Sequence, residues 1–344
     1  MAAVLLAGQR LPIAPGQSVL DTLLAAGIDI AHGCGVGVCA RCLVRTDPSL
    51  APESAQRPLR SALRTRGYLL ACQCRPNADL PIELIDAQAL QVSATVVEAR
   101  KIAPDICRLR LEPDLPFAYQ AGQFIHLGAP DGSARAYSLA SLPERDRYLE
   151  LHVERIPGGR VSGWLHDQVR AGDRVTFSGP CGEAVYSPGQ EQTPILAVAT
   201  GTGLAPLLAV ARDALASGHR GLLHLYHGAR SVAGLYGRGW LEELLRDHDT
   251  FAVHHCLSGS GVSGSGVETK APGVDSEVEP ARPDDTLGLR HGRALDLALV
   301  DHPDLRGWRV YLCGHPDMVR AGRKRAYLAG AAMADILGDP FLPT

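Results

Sequence analysis

Three cysteines fall within nine residues, Cys34-Gly35-Val36-Gly37-Val38-Cys39-Ala40-Arg41-Cys42, in the order C-x4-C-x2-C. After 29 intervening residues comes Cys72, and two positions later Cys74. A [2Fe–2S] cluster held by cysteine alone needs four thiolates, and this run with one distant cysteine is a spacing that supplies them. One tight loop then has to deliver three sulfurs while a separate segment delivers the fourth. Gly33, Gly35 and Gly37 give the loop access to positive φ and let backbone N–H groups approach the sulfurs. A zinc site would favour repeated C-x2–4-C pairs, and only Cys39 and Cys42 form one. A thioredoxin-like pair would sit beside a βαβ pattern, which this stretch lacks. The spacing assigns Cys34, Cys39 and Cys42 to the cluster and leaves Cys72 and Cys74 as alternatives for the fourth place. On a strand these two would share a face, about 6.6 Å apart, so one of them reaches the iron and the other does not.

The 344 residues have room for two or three domains. A net charge of −3 gives no basic footprint for nucleic acid. No apolar run approaches the ~20 residues of a membrane span. Nine cysteines and no secretory pattern at the start argue against a disulfide framework and for a cytoplasmic cofactor protein.

Residues 1–86 read as one unit, with short strands at 4–6, 11–13, 43–45 and 82–85 and a helix at 18–27 opened by Ser18 and stopped by Gly27. The segment Gly67-Tyr68-Leu69-Leu70-Ala71-Cys72-Gln73-Cys74 resembles the ligand strand of plant-type ferredoxins, and the whole unit resembles that domain. In that family the first cysteine of the Cys-Gln pair is the ligand. The resemblance therefore implies Cys72, with Cys74 a buried or half-buried side chain.

After a linker at 87–91, residues 92–190 carry strand signals at 92–98, 106–111, 124–127, 149–153 and 173–177, separated by Gly and Pro turns, as in an antiparallel β-barrel. Within them stand Arg135-Ala136-Tyr137-Ser138-Leu139 and, later, His152-Val153 and Gly158-Gly159-Arg160-Val161-Ser162. An R-x-Y-S motif with a later G-G-x-x-S is similar to the flavin barrel of the ferredoxin–NADP⁺ reductase superfamily. That resemblance implies FAD contacts from Arg135, Tyr137, Ser138, Leu139, His152, Val153, Gly159, Val161, Ser162 and Thr202. Arg135 would meet the diphosphate with its fork of donors, Tyr137 would lay a ring on the isoalloxazine, and Ser138 would bond near N5. The superfamily often covers the flavin with a C-terminal aromatic, a place open to Phe341, which could equally be a surface anchor.

Residues 191–344 alternate strand and helix, as for an α/β parallel sheet open to a dinucleotide. The apolar run at 194–199 turns through Thr200-Gly201-Thr202-Gly203 into a helix from Leu204, and a strand at 309–312 leads to Cys313-Gly314-His315-Pro316-Asp317-Met318. A glycine turn there leaves N–H groups for a pyrophosphate. This is not the G-x-G-x-x-G fingerprint, since Pro206 stands where the third glycine would. It does resemble the pyridine-nucleotide domain of the same superfamily. That implies NAD(P)H contacts from Gly201, Thr202, Gly203, Arg230, Cys313, Gly314, Pro316 and Met318, with Cys313 beside the nicotinamide. Residues 258–291, rich in Gly, Ser, Pro and acids, read as a mobile insertion. The histidines show no ligand spacing, and none is assigned a metal role.

Taken in order, the three units resemble the reductase components of bacterial multicomponent oxygenases. The resemblance implies hydride transfer from NADH, with NADPH open because of Arg230, to FAD, and single electrons leaving through the cluster to an acceptor protein. Ser138 and Cys313 are the catalytic candidates. An oxygenase component is the favoured acceptor; a cytochrome P450 or a deoxysugar dehydratase is the alternative, and a non-catalytic redox sensor the reading from another class. Arg41, beside the cluster loop, either docks an acidic patch on the acceptor or is a solvated charge. A monomer is the expected state.

Overall fold

The computed structural model describes residues 2–32, 35–37, 41–57, 59, 61–85, 91–259 and 289–342. Cys34, Cys39 and most of the 258–291 stretch lie outside these residues. The chain divides into two compact units, one running to Gln91 and taking in Leu342, the other spanning Val92–Phe341.

The smaller unit holds two three-stranded sheets. In the first, β1 (Ala3–Leu6) pairs antiparallel with β2 (Gln9–Pro12) and parallel with β5 (Leu80–Pro81). In the second, β3 (Leu43–Arg45) lies antiparallel between β4 (Tyr68–Leu70) and β6 (Glu83–Leu84). Helix α1 (Val19–Ala25) starts at a capping box: the Asp21 N–H donates to Ser18 Oγ at 3.2 Å, and the Ser18 N–H donates to Asp21 Oδ2 at 2.9 Å. Such a cap contributes ~1 kcal/mol. It lays Val19, Leu20 and Leu23 against Val44, Leu69 and Leu70 in one core. Two short helices, α2 (Glu53–Gln56) and α3 (Ser61–Arg64), pack on β4.

One expectation is corrected here. Cys72 and Cys74 do not lie on a strand. The strand ends at Leu70, and the chain turns because Leu70 O accepts the Gln73 N–H at 3.0 Å and Ala71 O accepts the Cys74 N–H at 3.4 Å. These local bonds replace the ladder, so the two thiols are not held at strand spacing.

The larger unit opens with β7 (Val92–Ala103), β8 (Ile106–Pro113), β9 (Phe124–Gly128), β10 (Ala134–Ser138), β11 (Leu149–Glu154) and β12 (Arg174–Cys181), with α4 (Arg160–Asp167) between the last two. They form an antiparallel sheet in the order β10-β9-β12-β7-β8-β11. Alternate residues Leu149, Leu151 and Val153 of β11 join Leu109, Leu111, Ile125 and Leu127 in its core, as the two-residue period of a strand dictates. The edge strands β10 and β11 meet at one antiparallel bridge, Leu139–Leu151.

A parallel sheet follows, built from β13 (Ile195–Thr200), β14 (Leu223–Ala229), β15 (Phe251–Leu257), β16 (Arg290–His291), β17 (Arg309–Gly314) and β18 (Ile336–Pro340). Its order is β16-β15-β14-β13-β17-β18. Helices α5 (Leu204–Ala216) and α6 (Arg238–Asp247) cover one face, and α7 (Ala294–Asp301) and α8 (Pro316–Leu328) the other. The central strand β13 is apolar from Ile195 to Ala199 because both its faces are buried there: Ile195, Ala197 and Ala199 enter one core, Leu196 and Val198 the other. Strand order reverses between β13 and β17. In open α/β sheets such a reversal leaves a crevice at the carboxyl ends of the strands.

Candidate functional site

Of the four proposed cluster ligands, Cys42 and Cys72 are described. Cys42 enters β3 and is 2% exposed; Cys72 sits in the turn after β4 at 4%. They meet directly, the Cys72 N–H pointing at Cys42 Sγ from 3.4 Å. Gln73 ties this turn to the glycine loop, its Nε2 lying 3.5 Å from Gly35 O and 3.5 Å from Cys72 Sγ. Gly37, at φ +85°, has to be a glycine, since a Cβ there would stand 2.8 Å from Gln73 Cγ. Cys74 is fully buried among apolar side chains, and burial pushes its thiol up to about 12. Two neighbouring buried cysteines, one with a backbone N–H aimed at its sulfur, fit the soft donor set of an iron–sulfur centre.

In the larger unit the gap between β10 and β11 holds most of the proposed flavin residues. Counting antiparallel from the Leu139–Leu151 bridge, Ser138 would face His152 and Tyr137 would face Val153, yet the described strands form no ladder there. Arg135 and Tyr137 of β10 are half-buried beside this unladdered stretch. Burial raises the Tyr137 hydroxyl well above its ordinary value. Beyond β11, Gly159 caps α4, so Val161 and Ser162 fall in the first helical turn. A Cβ at Gly159 would meet Ser162 Oγ at 2.6 Å. Two strand edges without a ladder, an arginine and a helix start fit a flavin dinucleotide.

The His152 ring is engaged elsewhere. Its Nε2 lies 3.0 Å from Glu150 Oε1, its Nδ1 lies 3.0 Å from the Tyr236 hydroxyl, and Trp240 stacks on it at 5.0 Å and 7°. Burial alone would raise the Glu150 carboxyl, but the His152 ring and Arg110 hold it down at about 2. Val153 is buried, and its carbonyl accepts from His166 Nε2 at 2.9 Å.

At the crevice, Gly201–Gly203 form a 3-10 turn leading into α5. Thr202 is 6% exposed. The turn presses on the end of β17: a Cβ at Gly203 would lie 2.2 Å from Cys313 O, and one at Gly314 2.4 Å from Thr200 Oγ1. Thr200 Oγ1 in turn accepts the His315 N–H at 2.8 Å. Pro316 opens α8, with the half-buried Met318 in its first turn. Arg230 is exposed just after β14. Cys313 is fully buried, and burial with the neighbouring Asp339 drives its thiol far above the ordinary value. The half-buried Phe341 follows β18, its N–H donating to Gly314 O at 2.8 Å.

Asp339 was not singled out from the sequence. It pairs with Cys313 across β17 and β18 and accepts a hydrogen bond from Ser138 Oγ at 3.1 Å. Burial lifts its carboxyl to about 7, against a smaller downward pull from that hydroxyl. Ser138, Asp339 and Cys313 thus form one contact set where the antiparallel sheet meets the parallel one. The only available signal was an acid two residues before Phe341, which no local motif marks.

Comparisons with known proteins find three family matches along the chain. Residues 5–77 match the 2Fe-2S iron-sulfur cluster binding domain, residues 93–186 the oxidoreductase FAD-binding domain, and residues 197–324 the oxidoreductase NAD-binding domain. The reductase subunit of an aromatic O-demethylase from Amycolatopsis is 36% identical over 94% of this chain and 93% of that protein. The ferredoxin–NAD(P)⁺ reductase component of a naphthalene 1,2-dioxygenase system from Pseudomonas putida is 33% identical over 97% of this chain and 96% of its own length. Among solved structures, an Amycolatopsis cytochrome P450 reductase matches with a TM-score of 0.67 at 33% identity, covering 100% of this chain and 99% of that one. No helix among the described residues is long and apolar enough to cross a membrane.

Proposed function

This chain belongs to the family of iron–sulfur flavoprotein reductase components of oxygenase systems, and from that membership we propose how its own residues divide the work of passing electrons from NAD(P)H to an acceptor protein. When bound, FAD accepts a hydride and a [2Fe–2S] cluster carries single electrons, so the pair turns a two-electron donor into one-electron deliveries. Cys34, Cys39, Cys42 and Cys72 hold the cluster, while Cys74, protonated and walled in, belongs to the core. Arg135 and the α4 start at Gly159, Val161 and Ser162 take the flavin diphosphate; Tyr137, Leu139, His152, Val153, Thr202 and Phe341 line its ring system. Given the engagement of its ring, His152 serves there through its main chain. Gly201, Thr202, Gly203, Gly314, Pro316 and Met318 receive the nicotinamide nucleotide, with Cys313 beside its ring and Arg230 near the adenosine end.

In this reading the domains are 1–86, a β-grasp ferredoxin, 92–190, an antiparallel flavin barrel, and 191–344, the nucleotide domain. A cytoplasmic setting, where nicotinamides and thiols are kept reduced, and a monomeric chain belong to it too. The observation that carries the reading is the Ser138–Asp339 hydrogen bond, 3.1 Å long, which joins the end of a flavin strand to the strand beside Cys313. It brings the residues proposed for the two redox partners to one place, where proximity supplies much of the rate.

Purified protein should show flavin and iron–sulfur bands and reduce cytochrome c with NADH faster than with NADPH. No reduction with either nucleotide would overturn the reading. The favoured acceptor is the oxygenase component of a hydroxylase or dioxygenase. Likeness to a cytochrome P450 reductase supports a second acceptor class, and coupled turnover with a haem or a non-haem oxygenase separates the two.

A further inference from the structure

His227 lies on β14, paired with Ala199 of β13 on one side and His255 of β15 on the other, and is wholly buried. Its Nε2 stands 3.2 Å from the carbonyl oxygen of Gly201, and its Nδ1 is buried without a partner. Only an Nε2–H tautomer serves that carbonyl. A buried imidazole is costly, and burial with the neighbouring His255 holds it neutral, its value lowered to about 3. The proposed function leaves this expense unexplained.

The ring also belongs to a line of contacts that starts on the other sheet. The Glu150 carboxylate accepts from His152 Nε2–H, which leaves His152 Nδ1 to accept the Tyr236 hydroxyl proton. Tyr236 then meets His227 edge-on, with centroids 5.7 Å apart at 86°. Glu150, His152, Tyr236 and His227 thereby connect β11 to the carbonyl of Gly201.

That carbonyl governs a direction. In a trans peptide the C=O and the following N–H point opposite ways. Drawing the Gly201 oxygen inward, where Leu204 N–H also donates to it, turns the Thr202 N–H outward from the loop. Gly201 sits at φ +55°, and its carbonyl has two donors, the Leu204 N–H of the following turn and the His227 ring.

We propose that His227 is a positioning residue, which fixes the Gly201–Thr202 peptide so that the Thr202 N–H faces the nucleotide pyrophosphate, and that Tyr236 and His152 lock its ring to the flavin strand. The inference rests on the nucleotide reading of the Gly201 loop.

The test uses holoprotein with NADH and ferricyanide as a flavin-level acceptor, together with calorimetric Kd values for NAD⁺. His227→Leu removes the donor and should raise both KM and Kd about tenfold, the worth of one such bond, with kcat changed less than about threefold. His227→Gln, whose amide reaches a similar point, should recover most of the loss. Tyr236→Phe keeps the packing and cuts only the lock, and should raise KM and Kd about threefold. FAD content and cluster absorbance should match wild type in all three. Unchanged KM and Kd in both His227→Leu and Tyr236→Phe overturns the proposal. So does equal damage in His227→Leu and His227→Gln, which would mark a packing role. Should His227→Leu not fold, Tyr236→Phe decides alone. A wild-type protein that fails to oxidise NADH would refute the function itself, a separate outcome.

Discussion

In the smaller unit the described sulfurs come from a strand start and a turn, Cys42 and Cys72, bound to each other through one N–H···S contact. In the larger unit the key groups arrive from strands far apart in the chain: Ser138 and Asp339 are 201 residues apart and 3.1 Å distant. One site is a short spacing closed on itself. The other is a meeting of sheet edges, and no short stretch contains it. A local site should fail abruptly when a ligand is lost, whereas a distributed one should degrade by steps.

The sharpest test of the first half pairs two cysteines. Cys72→Ser should abolish cluster absorbance and lower cytochrome c reduction by on the order of a hundredfold or more, while the flavin still reduces ferricyanide. Cys74→Ser should keep the cluster and cost only about 1–3 kcal/mol of stability, read from denaturant melts, because a hydroxyl replaces a thiol in an apolar wall. A reversed result would exchange their roles.

For the distributed site, Gly203→Ala is the severest single change. Its Cβ would lie 2.2 Å from Cys313 O, so the loop and β17 must part. Strain of about 3 kcal/mol would raise KM for NADH roughly a hundredfold, with cluster absorbance untouched. Ser138→Ala should slow flavin reduction in stopped flow about tenfold, the order of one hydrogen bond.

The smallest effect concerns pH. Folding raises the Asp339 carboxyl from an ordinary 3.8 to about 7, chiefly by burial. The folded state therefore holds a proton that the unfolded chain releases. Its contribution to stability is fullest below 3.8 and is lost as pH rises to about 7. Asp339→Asn has no such loss, so its melting temperature should gain on wild type between these limits, by ~2–4 °C for each kcal/mol. Parallel melting curves would show that Asp339 is not buried as described.

Legibility in the sequence follows the same division. The C-x4-C-x2-C run, the apolar strand β13 and the glycine turn after it are local, and each could be read residue by residue. Cys72 and Cys74 were expected on a strand because their segment resembles a ferredoxin ligand strand; the bond from Gln73 N–H to Leu70 O bends the chain instead, and no composition signals it. The family resemblance pointed to His152 as a flavin contact without saying which of its atoms would serve. Its ring is taken by Tyr236, 84 residues later, and Glu150. Asp339 and His227 matter only through partners that the fold supplies.

The single bridge at Leu139–Leu151 leaves a seam in the antiparallel sheet. Unpaired strand borders are templates for adhesion between molecules. With the flavin along that seam, as proposed, a preparation stripped of its yellow prosthetic group should clump on storage.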